Sequence, residues 1–443
     1  MVAVNKPKVT DPKKITAKEK ATLKKLGCTH LIPAYSKKQD NMKDSLEDIK
    51  KDPPSYVCIR VKIKPWVRFD MGGRKLTLKH KEEVMVPLSF FVNNQKDKKG
   101  VELLEPAPRT FASRFNRYNG ENLDNKNLFV WRFGGIGDIM FTQPLIKHLK
   151  KIYPTCKILF ATAPQHMGVF DFWPKGLVDQ VVRIPFKSKY MDVCDYHITF
   201  EGSIERCKEA HTTNCYDIFA KMAGLEFNPA DYPLEAVIDE RIKEEVSAII
   251  PPKTIAIQTR ASSPLRVFPL KKAIELINEL TELGFYVGMI DAAKEANKID
   301  GWLKSERLSI KHPEKILNLS KLSKSLKHCM AILSSCEGSI STDSSITHLS
   351  AAAGIPTIGM YGPFRGELRM KYYPMADWVN GSEDWNECGL APCYAHDAQM
   401  KSCPYMREGK SVGCLDSINI SKVIEKFIGV YEQFEEKKKN DNK

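Results

Sequence analysis

An α/β fold with two Rossmann-like, parallel-sheet halves facing each other across a cleft is what this sequence predicts, and three observations carry the expectation. Apolar strand-like runs alternate with amphipathic helical runs in two series, from Leu128 to Gly224 and from Thr254 to Tyr361. A segment bounded by Pro229 and Pro252 links them. In each series one strand runs into a turn of small residues that delivers an acid to a helix start: Phe129-Val-Trp-Arg-Phe-Gly-Gly-Ile-Gly-Asp138-Ile-Met-Phe-Thr-Gln-Pro144, and Ser341-Thr-Asp343-Ser344-Ser345-Ile-Thr-His348-Leu-Ser-Ala-Ala-Ala-Gly354-Ile-Pro356. In parallel sheets, ligands sit beyond the carboxyl ends of the strands, where both turns fall.

Residues 1–25 form a lysine-rich arm with too little apolar content to fold alone. Residues 26–126 read as a small β-rich module and linker, an N-terminal β-rich extension to the two halves. Val57, Ile59, Val61 and Ile63 alternate with Cys58, Arg60, Lys62 and Lys64, and Gly72-Gly73 turns a hairpin into Leu76 and Leu78.

Residues 127–238 form the first half. It has a strand at Val130 to Phe133 and a helix opened by Asp138 that runs to Tyr153, before Pro154. Strands at Lys157 to Ala161, Val178 to Ile184 and His197 to Phe200 follow, then a short helix from Tyr216 to Gly224. Residues 239–385 form the second half. Helices are expected at Asp239 to Ile249, Pro269 to Leu283, Ser323 to Leu333 and Thr347 to Ala353, and strands at Thr254 to Gln258, Phe285 to Ile290, Gly338 to Ser341 and Thr357 to Tyr361. Residues 386–416 form a four-cysteine finger, and residues 417–443 a helix near Ile420 to Phe434 with a basic tail.

Gly134, Gly135 and Gly137 permit positive φ and close approach of a ligand to the backbone. The turn is not a dinucleotide fingerprint, because Met140 stands where a third glycine would be needed, and no P-loop Lys-Ser/Thr follows. On local sequence Asp138 reads as a helix N-cap. Thr259, Arg260, Ser262, Ser263 and Arg266 lie between a strand end and the helix that Pro269 opens, the composition of an anion site. Ser345 and His348 are three apart on one helical turn and can face a ligand together with Asp343 and Ser344. Gly362-Pro363 and Arg365 follow the last strand closely enough to reach the same cleft.

The two motifs together resemble glycosyltransferase family 9, the ADP-heptose:lipopolysaccharide heptosyltransferases, over residues 127–430. The resemblance implies the GT-B architecture and an inverting, metal-independent transfer of a sugar, probably a heptose, from a nucleotide diphosphate. The acceptor would be a saccharide or glycolipid hydroxyl in lipopolysaccharide biosynthesis. By the same resemblance Asp138 is the catalytic base. The donor is held by Gly135, Gly137, Thr259, Arg260, Ser263, Arg266, Glu295, Asp343, Ser344, Ser345 and His348. Arg266 stands where the family has lysine, and Ser345 where it has glycine. The rival reading is a catalytically silent GT-B module used for binding or assembly.

Cys388, Cys393, Cys403 and Cys414, spaced C-x4-C-x9-C-x10-C in a segment poor in apolar periodicity, are expected to bind one structural zinc or iron ion. Related autotransporter heptosyltransferases carry an iron finger near the same end. The chain has 12 cysteines and no apolar leader or membrane-length run, which points to a reducing, cytoplasmic setting. A net charge of +14, concentrated partly in lysine-rich ends, suits attraction to an anionic acceptor at the inner face of a membrane. Nothing organises it for nucleic acid. Homo-oligomerisation is left open.

Overall fold

The computed structural model describes residues 45–51, 56–62, 66–70, 75–87, 101–103, 116–187, 190, 193–205, 207–381, 383, 403 and 412–441. At the amino-terminal end, helix α1 (Leu46–Lys51) precedes strands β1 (Tyr56–Val61), β2 (Trp66–Asp70), β3 (Lys75–Lys79), β4 (Glu83–Pro87) and β5 (Val101–Leu103). β2 and β3 pair antiparallel, Asp70 opposite Lys75, as the glycine pair between them leads one to expect. β1 pairs antiparallel with β4 and β5.

The first half is a five-stranded parallel sheet of β6 (Asn116–Arg117), β7 (Asn127–Trp131), β8 (Lys157–Thr162), β9 (Gln180–Arg183) and β11 (Tyr196–Thr199), in the order β6-β11-β7-β8-β9. Leu128, Phe129, Val130 and Trp131 are all buried, the continuous apolar run of a strand covered on both faces. Between β9 and β11 the short strand β10 (Phe186–Lys187) leaves this sheet and adds to β4, which makes a four-stranded sheet β10-β4-β1-β5. Met85 of β4 packs with Phe129, Trp131, Leu159, Val182 and Phe186 in one cluster. The amino-terminal strands are thereby seated on a face of the parallel sheet.

The helix expected from Asp138 to Tyr153 is two helices, α2 (Ile136–Met140) and α3 (Gln143–Ile152). Pro144 has no N–H to give the Met140 carbonyl, so it ends one helix and sits in the first turn of the next. Helix α4 (Cys215–Met222), capped by Asn214, and helix α5 (Glu240–Ser247), capped by Asp239, follow.

The second half is a six-stranded parallel sheet of β12 (Thr254–Gln258), β13 (Tyr286–Met289), β14 (Ile316–Asn318), β15 (Gly338–Thr342), β16 (Thr357–Tyr361) and β17 (Ala376–Asn380), in the order β14-β13-β12-β15-β16-β17. Its helices are α6 (Leu270–Glu282), α7 (Ala296–Ser305), α8 (Leu326–Ser334), α9 (Ser345–Ala352) and α10 (Glu367–Met370). Gly284, at φ +88°, takes the left-handed turn that ends α6. After α11 (Gly413–Asp416), the long α12 (Ile420–Asp441) buries Val423 and Phe427 against this half. Gly338 in β15 makes room for the Phe427 ring, since a Cβ there would lie 2.6 Å from it.

Candidate active site

A cavity of about 570 Å³ lies between the halves and is lined by both: Gly135, Ile136, Gly137, Asp138, Phe141 and His166 from the first, and residues from the segments that follow four strands of the second, β12, β13, β15 and β16. The turn after β7 brings Asp138 to it. Asp138 is not the N-cap of α2 that its sequence context suggests. The cap is Gly135, whose N–H donates to Asp138 Oδ2 at 2.8 Å, so the carboxylate closes the glycine turn on itself. The other oxygen, Oδ1, lies 3.3 Å from Arg132 Nη2. Arg132 is fully buried. Its Nη1 donates to the Phe200 carbonyl at 2.9 Å and to Glu205 Oε2 at 3.1 Å, and its Nη2 also pairs with Glu205. Burial pushes the Asp138 carboxyl up, but the Arg132 and Arg369 charges and the Gly135 N–H outweigh it and hold it below the usual carboxylate range. The carboxylate is therefore ionised at neutral pH, with 26% of its side chain exposed.

The glycines of this turn serve close approach, not positive φ: none of Gly134, Gly135 and Gly137 is among the residues with left-handed backbone. A Cβ on Gly134 would meet Arg132 Nε and Asp138 Oδ2 at 2.8 Å, and one on Gly137 would meet His348 Cδ2 at 2.6 Å. Gly137 thus lets α2 of the first half dock against α9 of the second.

In the second half the turn after β15 places Asp343, Ser344, Ser345 and His348 on the cavity. The Ser344 hydroxyl accepts from the Ile346 N–H at 3.3 Å, capping α9, and donates to Gln258 Oε1. Arg266 ties the loop after β12 to this turn: its Nη1 donates to the Asp343 carbonyl at 2.9 Å and lies 3.4 Å from Asp343 Oδ2, and its Nη2 donates to Ser262 Oγ at 2.9 Å. Arg260 Nη1 meets Glu295 Oε2 at 3.0 Å, and both line the cavity. A hydrogen bond from Lys298 and the Arg260 charge hold the Glu295 carboxyl below its ordinary value.

Several expected site residues fall elsewhere. The Ser263 hydroxyl is turned to the Leu265 N–H at 3.3 Å and caps the short 3-10 turn Pro264–Arg266; it does not line the cavity. Thr259 lines a smaller adjoining pocket of about 150 Å³ with Leu270, Met289 and Trp302. Pro269 is the N-cap of α6 and not its first residue, and the helix start that faces the main cavity is that of α9. Arg365 pairs with Glu367 at 2.9 Å, and the arginine of this segment that lines the cavity is Arg369, four residues on, stacked 3.9 Å over the Phe364 ring and bonded to Cys215 Sγ.

Arg132, Arg369 and Asp291 escaped the sequence reading. Arg132 left one signal, a charge inside an otherwise apolar strand run; Arg369 left none that is local. Of the four finger cysteines, Cys388 and Cys393 lie outside the described residues. Among the described residues there is no group of three or more potential metal ligands, and no helix is long and apolar enough to cross a membrane.

Two parallel-sheet halves with an anion-suited turn opposite a carboxylate define a GT-B-like fold. Residues 203–388 match the model of glycosyltransferase family 9 (heptosyltransferase). Its fold is similar to that of a family 9 glycosyl transferase from Veillonella parvula, at 16% identity and a TM-score of 0.55, covering 71% of this chain and 99% of that one. It is also similar to ADP-heptose LPS heptosyltransferase II of E. coli, at 15% identity and a TM-score of 0.52, covering 70% and 99%. No curated protein matches the sequence significantly.

Proposed function

We propose that this protein is an inverting glycosyltransferase that moves a sugar, a heptose or a close relative, from a nucleoside diphosphate to a hydroxyl of a saccharide or glycolipid. One observation carries the reading: an ionised carboxylate from one half and, from the other, a helix-capping turn with the Arg266 and Arg369 guanidiniums line the same cavity. The acceptor oxygen bonds to the anomeric carbon on the Asp138 side, and its proton passes to the Asp138 carboxylate. The bond from that carbon to the diphosphate oxygen breaks on the opposite side, and its electron pair leaves with the nucleotide. Arg266, Arg369 and the N–H groups at the start of α9 offset the charge that develops there. A carboxylate held below its usual range suits a late proton transfer, when the sugar already carries positive charge.

A silent binding module has no need of a charged carboxylate kept ionised in a cavity by an arginine of the chain interior. Thermal-shift screening against nucleoside diphosphates tests the donor half of the proposal, since binding at 100 times Kd adds about 2.7 kcal/mol to the stability of the folded chain. Nucleotide release from a nucleotide-sugar by wild type and Asp138→Asn tests the other half. Equal release by the two proteins refutes the catalytic assignment. Cys388, Cys393, Cys403 and Cys414 would hold one zinc or iron ion in a structural role; near-zero metal in purified, reduced and folded protein removes that site.

A further inference from the structure

Two buried phenols with no part in the chemistry above connect the cavity to the contact between the halves. Tyr216, on α4 of the first half, donates from its hydroxyl to the Tyr373 hydroxyl of the second half at 3.1 Å. Tyr373 in turn meets Nδ1 of His348 at 2.5 Å. All three residues are buried. Each phenol has one proton. With the Tyr216 proton on the Tyr373 oxygen, the proton of Tyr373 is the one directed to Nδ1. The imidazole is neutral, because burial drives its pKa down to about 4. A neutral ring that accepts at Nδ1 carries its proton on Nε2, and the Nε2–Cδ2 edge is the one turned to Gly137, which lines the cavity together with His348. The opposite tautomer would present the Nε2 lone pair to an anionic oxygen, a repulsive contact.

We infer that Tyr373, aligned by Tyr216 from the opposite half, is a positioning residue that fixes His348 as its Nε2–H tautomer, so that His348 donates a hydrogen bond to an oxygen of a bound nucleoside diphosphate. The ligand part rests on the donor site proposed above; the tautomer does not. The consequence is mechanical: the donor site is complete only when α4 of the first half is docked on the segment around Tyr373.

The full chain labelled with ¹⁵N-histidine reports the tautomer directly, the His348 signals being identified by their loss in His348→Gln. Wild type should show a bare Nδ1 and a protonated Nε2. Tyr373→Phe should show tautomers averaged between the two nitrogens and bind ADP roughly three- to tenfold more weakly in calorimetry, the range for one lost hydrogen bond. Tyr216→Phe should move both readouts in the same direction by less. A proton on Nδ1 in wild type, or a wild-type pattern retained in Tyr373→Phe, overturns the inference. An altered tautomer with unchanged ADP affinity removes the bond to the ligand. Should neither ADP nor another nucleoside diphosphate bind the wild type, the donor-site reading fails while the spectra still decide the tautomer. Should Tyr373→Phe not fold, the wild-type spectrum and Tyr216→Phe decide it.

Discussion

Asp138 is held at two points, and each has a measurable consequence. The Gly135 N–H and the Arg132 guanidinium both favour its charged form. Asp138→Asn should lose at least about a hundredfold in turnover, the lower end of general-base contributions, while binding nucleotide nearly as well. Steady-state kinetics beside calorimetry separates the two effects. The sign of the pH dependence follows from the lowered pKa. The carboxylate is the working form above its pKa, so activity is lost only as the pH falls through a value below the usual carboxylate range. In Arg132→Met burial, which raises the carboxyl's pKa, loses its chief opponent. The acid limb of kcat/KM should then move to higher pH; an unmoved limb means that Arg132 does not set the charge of Asp138. Gly137→Ala would drive a methyl into the His348 ring, itself packed edge-on against Phe141 at 4.7 Å. The expected cost is about 1–3 kcal/mol of stability by overpacking, read from denaturant unfolding.

At the scale of elements, the loop after β12 has a double role that composition alone does not disclose. Arg266 is a candidate phosphate ligand and also the partner of a buried carboxylate, Asp343, which is 4% exposed. Arg266→Ala should weaken nucleoside-diphosphate binding by about 1.5–3 kcal/mol, the range for hydrogen bonds to charged groups. It should lower stability in the same variant, because the buried Asp343 carboxylate loses the guanidinium 3.4 Å away. Equal affinity in calorimetry would place the diphosphate elsewhere. The same loop marks how far a sequence reading reaches. Thr254–Gln258 and Thr357–Tyr361 were legible to the residue because continuous apolar runs bounded by polar or proline residues mark buried parallel strands. β14, three half-buried residues, and β17, where Asp377 and Asn380 interrupt the apolar pattern, lie at the two edges of the sheet and leave no such run. Asp343, Ser344, Ser345 and His348 were legible because one contiguous segment carries them. Arg369 was not, since it reaches the cavity from a four-residue helix by way of tertiary packing on Phe364 and Cys215.

At the scale of the molecule, the question is whether the two halves behave as independent bodies that open and close about the linker. Rossmann-like halves joined by a short segment would be expected to move unless their contact is large and apolar. Here one cluster of buried side chains runs without interruption from Phe141, Tyr216 and Phe219 of the first half to Leu349, Phe364 and Tyr373 of the second. Polar bonds frame it: Asn214 Nδ2 to the Glu367 carbonyl at 2.8 Å and Tyr372 to Asp217 at 2.7 Å. Separating the halves would expose those aromatic faces and strand the Arg369 guanidinium, so opening costs a large part of what unfolding costs. Denaturant unfolding followed by tryptophan fluorescence, which reports Trp131 and Trp173 in the first half and Trp302 and Trp378 in the second, should therefore coincide with unfolding followed by circular dichroism in one transition. A saturating nucleoside diphosphate, although its proposed ligands lie mainly in the second half, should move the whole transition and not a part of it. Two separated transitions, with only the later one shifted by nucleotide, would show that the halves are independent and that the shared core does not couple them.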